Sequence, residues 1–254
     1  MTTPTLTPGM LATLVVAAFS AGLVDAIGGG GGLVTVPALL ALGLDPRIAL
    51  ATNKGQAVFG AVASAASYKR RGEITQDRVP VAFFAGLLGS LCGALLLTAL
   101  RPEPLRPVIV VLLLAALGVA LVPRDKLPKL SPSRPKLALF AVAFGLGAYD
   151  GFFGPGVGSM LLLTNVMLFG DSLVRASGNA KVVNLASNLA AFGLFAAKGT
   201  IVFAIALPMA AANATGAYVG AKLAIKGGDR VVRPVVVLVV LAVVAKLLRD
   251  LLHS

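Results

Sequence analysis

The 254-residue sequence has no tryptophan, one cysteine, one histidine and few charges. Asp, Glu, Lys and Arg make up only 13% of it, against roughly a quarter in an ordinary soluble domain. Each shortage excludes something. A lone thiol, Cys92, forms no internal disulfide and rules out a disulfide-stapled secreted scaffold; inside its apolar stretch it reads as a small core residue. The single imidazole, His253, stands next to last in the chain. It cannot build a metal centre or a nucleophile–base pair, so no metal, no cofactor and no enzyme activity are expected. The glycine runs lack the Gly-Lys-Ser/Thr that completes a nucleotide-hydrolysing phosphate loop. Lys and Arg outnumber Asp and Glu 22 to 10, yet no basic stripe alternates with aromatics, so nucleic acid is not an expected partner. No Lys or Arg precedes Arg47. The first apolar stretch therefore lacks the basic flank of a secretory signal, reads as mature chain, and places the amino terminus outside.

What the chain has in excess is apolar surface. Hydrophobic residues make up 57%, and the mean hydropathy is +0.93. A soluble fold has no place for that much oil, whereas a polytopic membrane protein turns it toward lipid. Apolar stretches run over 9–27, 33–44, 47–68, 79–100 and 105–122, then 137–153, 157–170, 172–197, 201–225 and 231–252. None alternates with a period of two, which argues against a membrane barrel and for helices. The stretches 33–44 and 157–170 are too short to cross a bilayer comfortably. Between the two sets lies a basic, proline-rich linker, 123–136.

The two sets read as one unit written twice, 1–122 and 137–254. A shift of 125 brings Gly22, Asp25, Gly29 and Gly31 onto Gly147, Asp150, Gly154 and Gly156. A shift of 127 brings Lys54, Gly89, Gly93, Arg106 and Pro107 onto Lys181, Gly216, Gly220, Arg233 and Pro234. Repeats with short, glycine-interrupted segments at matching places are the mark of a secondary transporter. Two topologies fit. Eight transmembrane helices divide the loop cations 12 to 8; six crossings plus two re-entrant hairpins divide them 14 to 6. The second has the stronger asymmetry and makes the halves inverted repeats.

The chemistry concentrates in two places. In Asp25-Ala-Ile-Gly28-Gly29-Gly30-Gly31-Gly32, five glycines in a row break a helix, each costing about 1 kcal/mol against alanine. A short helix restarting near Leu33 points its positive amino end, with free N–H groups, at this break. The second copy reads Asp150-Gly151-Phe152-Phe153-Gly154-Pro155-Gly156-Val157-Gly158-Ser159, where Pro155 makes the break and Ser159 adds a hydroxyl. Close helix packing alone would need small residues but not a break. The second place is the pair of intramembrane lysines, Lys54 and Lys181, each about ten residues into its segment. A central lysine costs about 3 kcal/mol to insert and therefore has a partner or a task. Thr52, Asn53 and Gln56 surround Lys54; Asn179, Asn184, Ser187 and Asn188 flank Lys181. Lys181, Asn184, Ser187 and Asn188 follow helical spacing on one face, which should line water or substrate. Asp25 and Asp150 serve either as structural charge partners of the lysines or as proton carriers. Asn213 and Thr215 are weaker candidates, and Tyr68, Tyr149 and Tyr218 read as ring anchors at segment ends.

These residues carry a resemblance. Asp25 with Gly28 to Gly32, Pro37 and Ala51-Thr52-Asn53-Lys54, followed by the Asp-Gly-x-x-Gly-Pro-Gly-x-Gly run from Asp150 to Gly158, resembles the sulfite exporter TauE/SafE family over nearly the whole chain. The resemblance implies a multi-pass protein of the bacterial cytoplasmic (inner) membrane. Its cargo would be a small anion such as sulfite, a sulfonate or sulfoacetate. The expectation is an all-α integral membrane transporter working by alternating access, with one half rocking against the other. Its site would draw on Gly28 to Gly32, Asn53, Lys54, Gln56, Gly154, Gly156, Gly158, Ser159, Asn179, Lys181, Asn184, Ser187 and Asn188. The partners are then the lipid bilayer and a small anionic substrate, with a homo-oligomer left open. An anion channel and a non-transporting membrane scaffold remain as rival readings.

Overall fold

The computed structural model describes residues 7–100, 105–120 and 130–227. The expected segment 231–252, part of the linker, the Arg233-Pro234 match and His253 lie outside the described residues. Within them the chain is all helix: α1 Pro8–Gly28, α2 Gly32–Leu40, α3 Pro46–Arg70, α4 Val79–Ala99, α5 Leu105–Ala120, α6 Pro135–Phe152, α7 Val157–Phe169, α8 Leu173–Ala197 and α9 Phe203–Gly227. A 3-10 turn, Gln76–Arg78, leads into α4.

Local chemistry sets several starts. Thr7, Asp45 and Ser172 cap α1, α3 and α8, accepting N–H groups of Met10, Arg47 and Arg175, and prolines occupy the first turns of α1 and α3. Among the described residues, four helices are long and apolar enough to cross a membrane: Pro8–Gly28, Gln76–Ala99, Leu173–Ala197 and Phe203–Gly227. Val16, Phe84, Leu96 and Leu207 stand out from them, each more than half exposed, as a lipid-facing surface requires. This is an all-α integral membrane protein.

The glycine break is shorter than the run that makes it. Gly28 completes α1 and Gly32 opens α2, so only residues 29–31 leave the helix. Gly29 has φ 81°, open to glycine without strain. A side chain there would also strike the backbone of Gly158 and Ser159. From the break α2 turns back along α1: Gly31 lies against Ala21 and Asp25, and Leu39 packs with Leu14 and Ala18. At nine residues, about 14 Å, α2 reaches only part of the way back.

The long helices sort into two parallel sets. Phe19 and Leu23 of α1 meet Gly216 and Gly220 of α9, while Gly55 and Gly60 of α3 meet Ala206 and Asn213 of the same helix. On the other side Phe144 and Ala148 of α6 meet Gly89 and Gly93 of α4, and Ser187 of α8 accepts the Ser90 hydroxyl at its carbonyl. The α1–α9 and α4–α6 contacts therefore fall on corresponding residues. The sets oppose each other, because Ala51 of α3 clusters with Phe195 of α8 while Tyr68 lies against Gly178. These close approaches rest on the absence of a Cβ: a side chain at Gly93 would run into the Ala148 carbonyl, which cannot rotate away.

Two expectations are corrected. Cys92 is exposed on the outer face of α4, not in the core. Tyr68 is fully buried and donates its hydroxyl to the Ala26 carbonyl at 2.8 Å, so it ties α3 to α1 and anchors no ring at the surface.

Replacing Gly93 with Leu should cost about 1–3 kcal/mol by overpacking, whereas Gly145→Leu, where a side chain meets open space, should be neutral. Thermal unfolding in detergent separates the two; equal melting temperatures would contradict the packing.

Candidate functional site

The two breaks meet inside the protein. Gly29 lies against Gly158, and Gly32 against Pro155. Ser159 donates its hydroxyl to the Gly28 carbonyl at 3.0 Å and stitches the start of α7 to the end of α1.

Two ion pairs flank this contact, and each joins a lysine from one half of the sequence to a carboxylate from the other. Lys54 Nζ on α3 is 2.5 Å from Asp150 Oδ1 on α6. Lys181 Nζ on α8 donates to Asp25 Oδ2 at 2.7 Å and to the Asp25 carbonyl at 2.5 Å. The remaining carboxylate oxygens are also used. Asp25 Oδ1 accepts the Gly31 N–H at 3.5 Å, and Asp150 Oδ2 accepts the Ser187 hydroxyl. Three of the four side chains are at most 4% exposed, but Asp25 is 25% exposed. A lysine left alone at such a place would be an uncompensated buried charge, so each carboxylate compensates its partner lysine.

Beside the pairs is a cavity of about 40 Å³, room for a few waters. Asp25, Lys54 and Asp150 line it, with Gly30, Gly31 and Gly32 from the first break and Gly154, Gly156 and Gly158 from the second. Asn53, Gln56, Asn184, Asn188 and Asn213 complete its polar wall. Asn53 Oδ1 accepts from Thr35 at 2.6 Å and from Gln56 Nε2 at 2.9 Å. Asn188 spends its Nδ2 on the Asn184 carbonyl at 2.7 Å. Two wall atoms, Gln56 Oε1 and Asn188 Oδ1, are buried and accept nothing from the described residues. Unpartnered acceptors at such a place signal a missing donor.

The expected site residues divide accordingly. Gly28 and Gly29 form the helix-to-helix contact, Ser159 is consumed in bracing it, and Ser187 positions Asp150. Lys181 sits behind Asp25 and does not line the cavity. Asn179 belongs to another network. It donates to Asp171 at 2.8 Å and to Thr75 at 3.1 Å, and Asp171 pairs with Arg78 at 2.7 Å. Among the described residues no group of three or more His, Cys, Asp or Glu side chains is placed to hold a metal.

The pattern of the family described as sulfite exporter TauE/SafE matches residues 14–247. The chain belongs to the sulfite exporter TauE/SafE family. It is 37% identical to a probable membrane transporter protein, ORF9, of Sinorhizobium sp. over 250 residues, 96% of this chain and 94% of the relative. A probable membrane transporter protein of Haemophilus influenzae is 38% identical over 247 residues, 95% of each. YfcA of Escherichia coli K12, with the same description, is 34% identical over 96% of this chain and 91% of its own length. No solved structure matches the chain. Family and relatives describe membrane transporters, not enzymes, and with the apolar helices they make this a multi-pass membrane protein.

Sequence reasoning missed Thr35, Arg78 and Asp171 in this TauE/SafE chain. Thr35 was legible as a hydroxyl four residues into a short helix, but Arg78 and Asp171 look like ordinary loop charges. Breaking one central pair should be costly and removing both partners cheap. Lys54→Met should destabilise by about 3–5 kcal/mol, and Lys54→Met with Asp150→Asn should recover most of that. A double variant as unstable as the single one, by thermal unfolding in detergent, would deny the pairing.

Proposed function

We propose that the protein is a secondary transporter of a small oxyanion, sulfite or an organosulfonate, in the bacterial inner membrane, and that the anion binds in the cavity between the two glycine breaks. One observation carries the reading: a cavity bounded by both breaks and both carboxylates, with two amide oxygens waiting for a donor. Lys54 offers charge at the cavity wall, with Lys181 behind Asp25, the amides of Asn53, Asn184 and Asn188 offer adaptable hydrogen bonds, and the breaks offer backbone N–H groups.

Charge counting sharpens this. Two lysines and two aspartates sum to zero, so an added anion leaves the cluster at −1 unless a cation or proton enters with it. The spare oxygens of Gln56 and Asn188 suit a substrate that brings its own O–H, as a singly protonated oxyanion does.

Packing supports a particular division into moving bodies. With α9 locked to α1 and α3, and α4 locked to α6 and α8, the bodies are composites of both sequence halves. Lys54–Asp150 and Lys181–Asp25 each span the two bodies, so rocking them apart strains both pairs, and a bound anion replaces a carboxylate as the lysine's partner. The short return of α2 favours two re-entrant hairpins in inverted repeats. The arginine- and lysine-rich ends of α3 and α9 then face the cytoplasm and the amino terminus faces outside.

The locked pairs also favour one rival, a membrane subunit whose charges are purely structural. Purified protein in liposomes decides. The Lys54→Met, Asp150→Asn double variant should fold and lose sulfite flux to the level of empty liposomes, across a panel of sulfite, sulfate, thiosulfate, sulfonates and carboxylates. Full flux in that variant, or no anion in the panel raising the melting temperature of the parent, would reject the reading.

A further inference from the structure

A basic cleft lies away from the central cavity, where α3 and α9 end side by side. A cleft of about 160 Å³ there is lined by Ser67, Arg70, Arg71, Tyr218, Lys222 and Lys226, among others. The four cations sit at the exposed ends of their helices, and Lys222 Nζ lies 4.3 Å over the Tyr218 ring. No carboxylate of the described residues forms an ion pair with any of the four.

Packing does not demand this cluster. The opposite face of the protein has the same arrangement, with α8 and α4 ending together and Lys198 donating to Thr98 at 3.1 Å. Under the 127-residue shift, Ser67, Arg70, Tyr218, Lys222 and Lys226 fall on Leu194, Ala197, Leu91, Leu95 and Ala99. Arg71 falls on Lys198, so one geometry carries four cations at one end and, at the matching positions, a single cation among mostly aliphatic side chains at the other. The difference is a concentration of positive charge at one end, where it is offset by no carboxylate of the described residues.

Each helix also delivers an apolar track to the cleft. Phe59, Val62 and Ala66 lead along α3 to Arg70, with Phe59 and Val62 exposed. On α9 Leu207, Ala211 and Thr215 lead to Tyr218 and Lys222, all exposed at helical spacing. A free phosphate would use the cations and leave the tracks idle. A lipid uses both, with its acyl chains on the tracks, its phosphate among the cations, and Tyr218 at headgroup depth.

We propose that this cleft binds the headgroup phosphate of an anionic phospholipid. The site stands apart from the central cavity and does not rest on the transport reading. The test places delipidated protein in nanodiscs of phosphatidylcholine alone or with phosphatidylglycerol, and measures melting temperature and lipid affinity. Phosphatidylglycerol should raise the melting temperature. Arg70→Gln with Lys222→Gln should weaken its binding roughly thirty-fold. Lys69→Gln, an exposed lysine outside the cleft, should leave binding unchanged. If the first double variant does not fold, Arg71→Gln with Lys226→Gln gives the same reading. Equal stability in both lipids, or a double variant that binds as the parent does, would overturn the proposal. So would inorganic phosphate reproducing the shift in phosphatidylcholine, since the occupant would then be a soluble anion.

Discussion

Lys54 can occupy the interior of this protein only because Asp150 reaches it from another helix, and the same holds for Lys181 and Asp25. An unpaired ammonium at that depth would cost several kcal/mol, a large share of a marginal stability. Each pair therefore dictates where two helices must stand: α3 beside the end of α6, and α8 beside the end of α1. Those helix ends are where the chain leaves the helix at its glycines, so pairing the charges also presses Gly29 against Gly158. The cavity is what remains between elements whose positions the charges have set.

The small residues do the complementary work. Without a hydrophobic force between helices in lipid, close approach of backbones supplies the attraction, and glycine permits the closest. Gly89 and Gly93 hold α4 onto α6, and Gly216 and Gly220 hold α9 onto α1, in each case a helix from the other half of the sequence. The contiguous order of the chain is thus a poor guide to which parts pack together.

Much of the fold was legible in composition. Hydropathy announces membrane helices, and runs such as Gly28 to Gly32 or Gly154-Pro155-Gly156 announce where they break. Other features were not legible, for definite reasons. Hydropathy cannot tell a lipid-facing side from a buried one, because both are apolar; the small residues Gly86, Gly89, Ser90 and Gly93 mark the packed face of α4, and Cys92 lies off it. Asn179 precedes Asn184 by five residues, which turns it about 140° around the helix and into the Arg78–Asp171 network. Which aspartate meets which lysine depends on the mutual orientation of the halves, and spacing within either half does not encode that.

The crossed pairing has a consequence for any motion. Had each lysine met the carboxylate of its own parallel set, the sets could separate with every charge still neutralised, and the central charges would report nothing about substrate. Here both pairs lie across the boundary. Opening it on either side lengthens at least one pair in a region with little water to replace the lost partner, so the empty protein resists opening. On the proposed transport reading, an anion that enters with a proton would supply a replacement partner while keeping the sum of charge at zero. On that reading, the barrier to movement without cargo and the affinity for cargo would arise from the same four side chains.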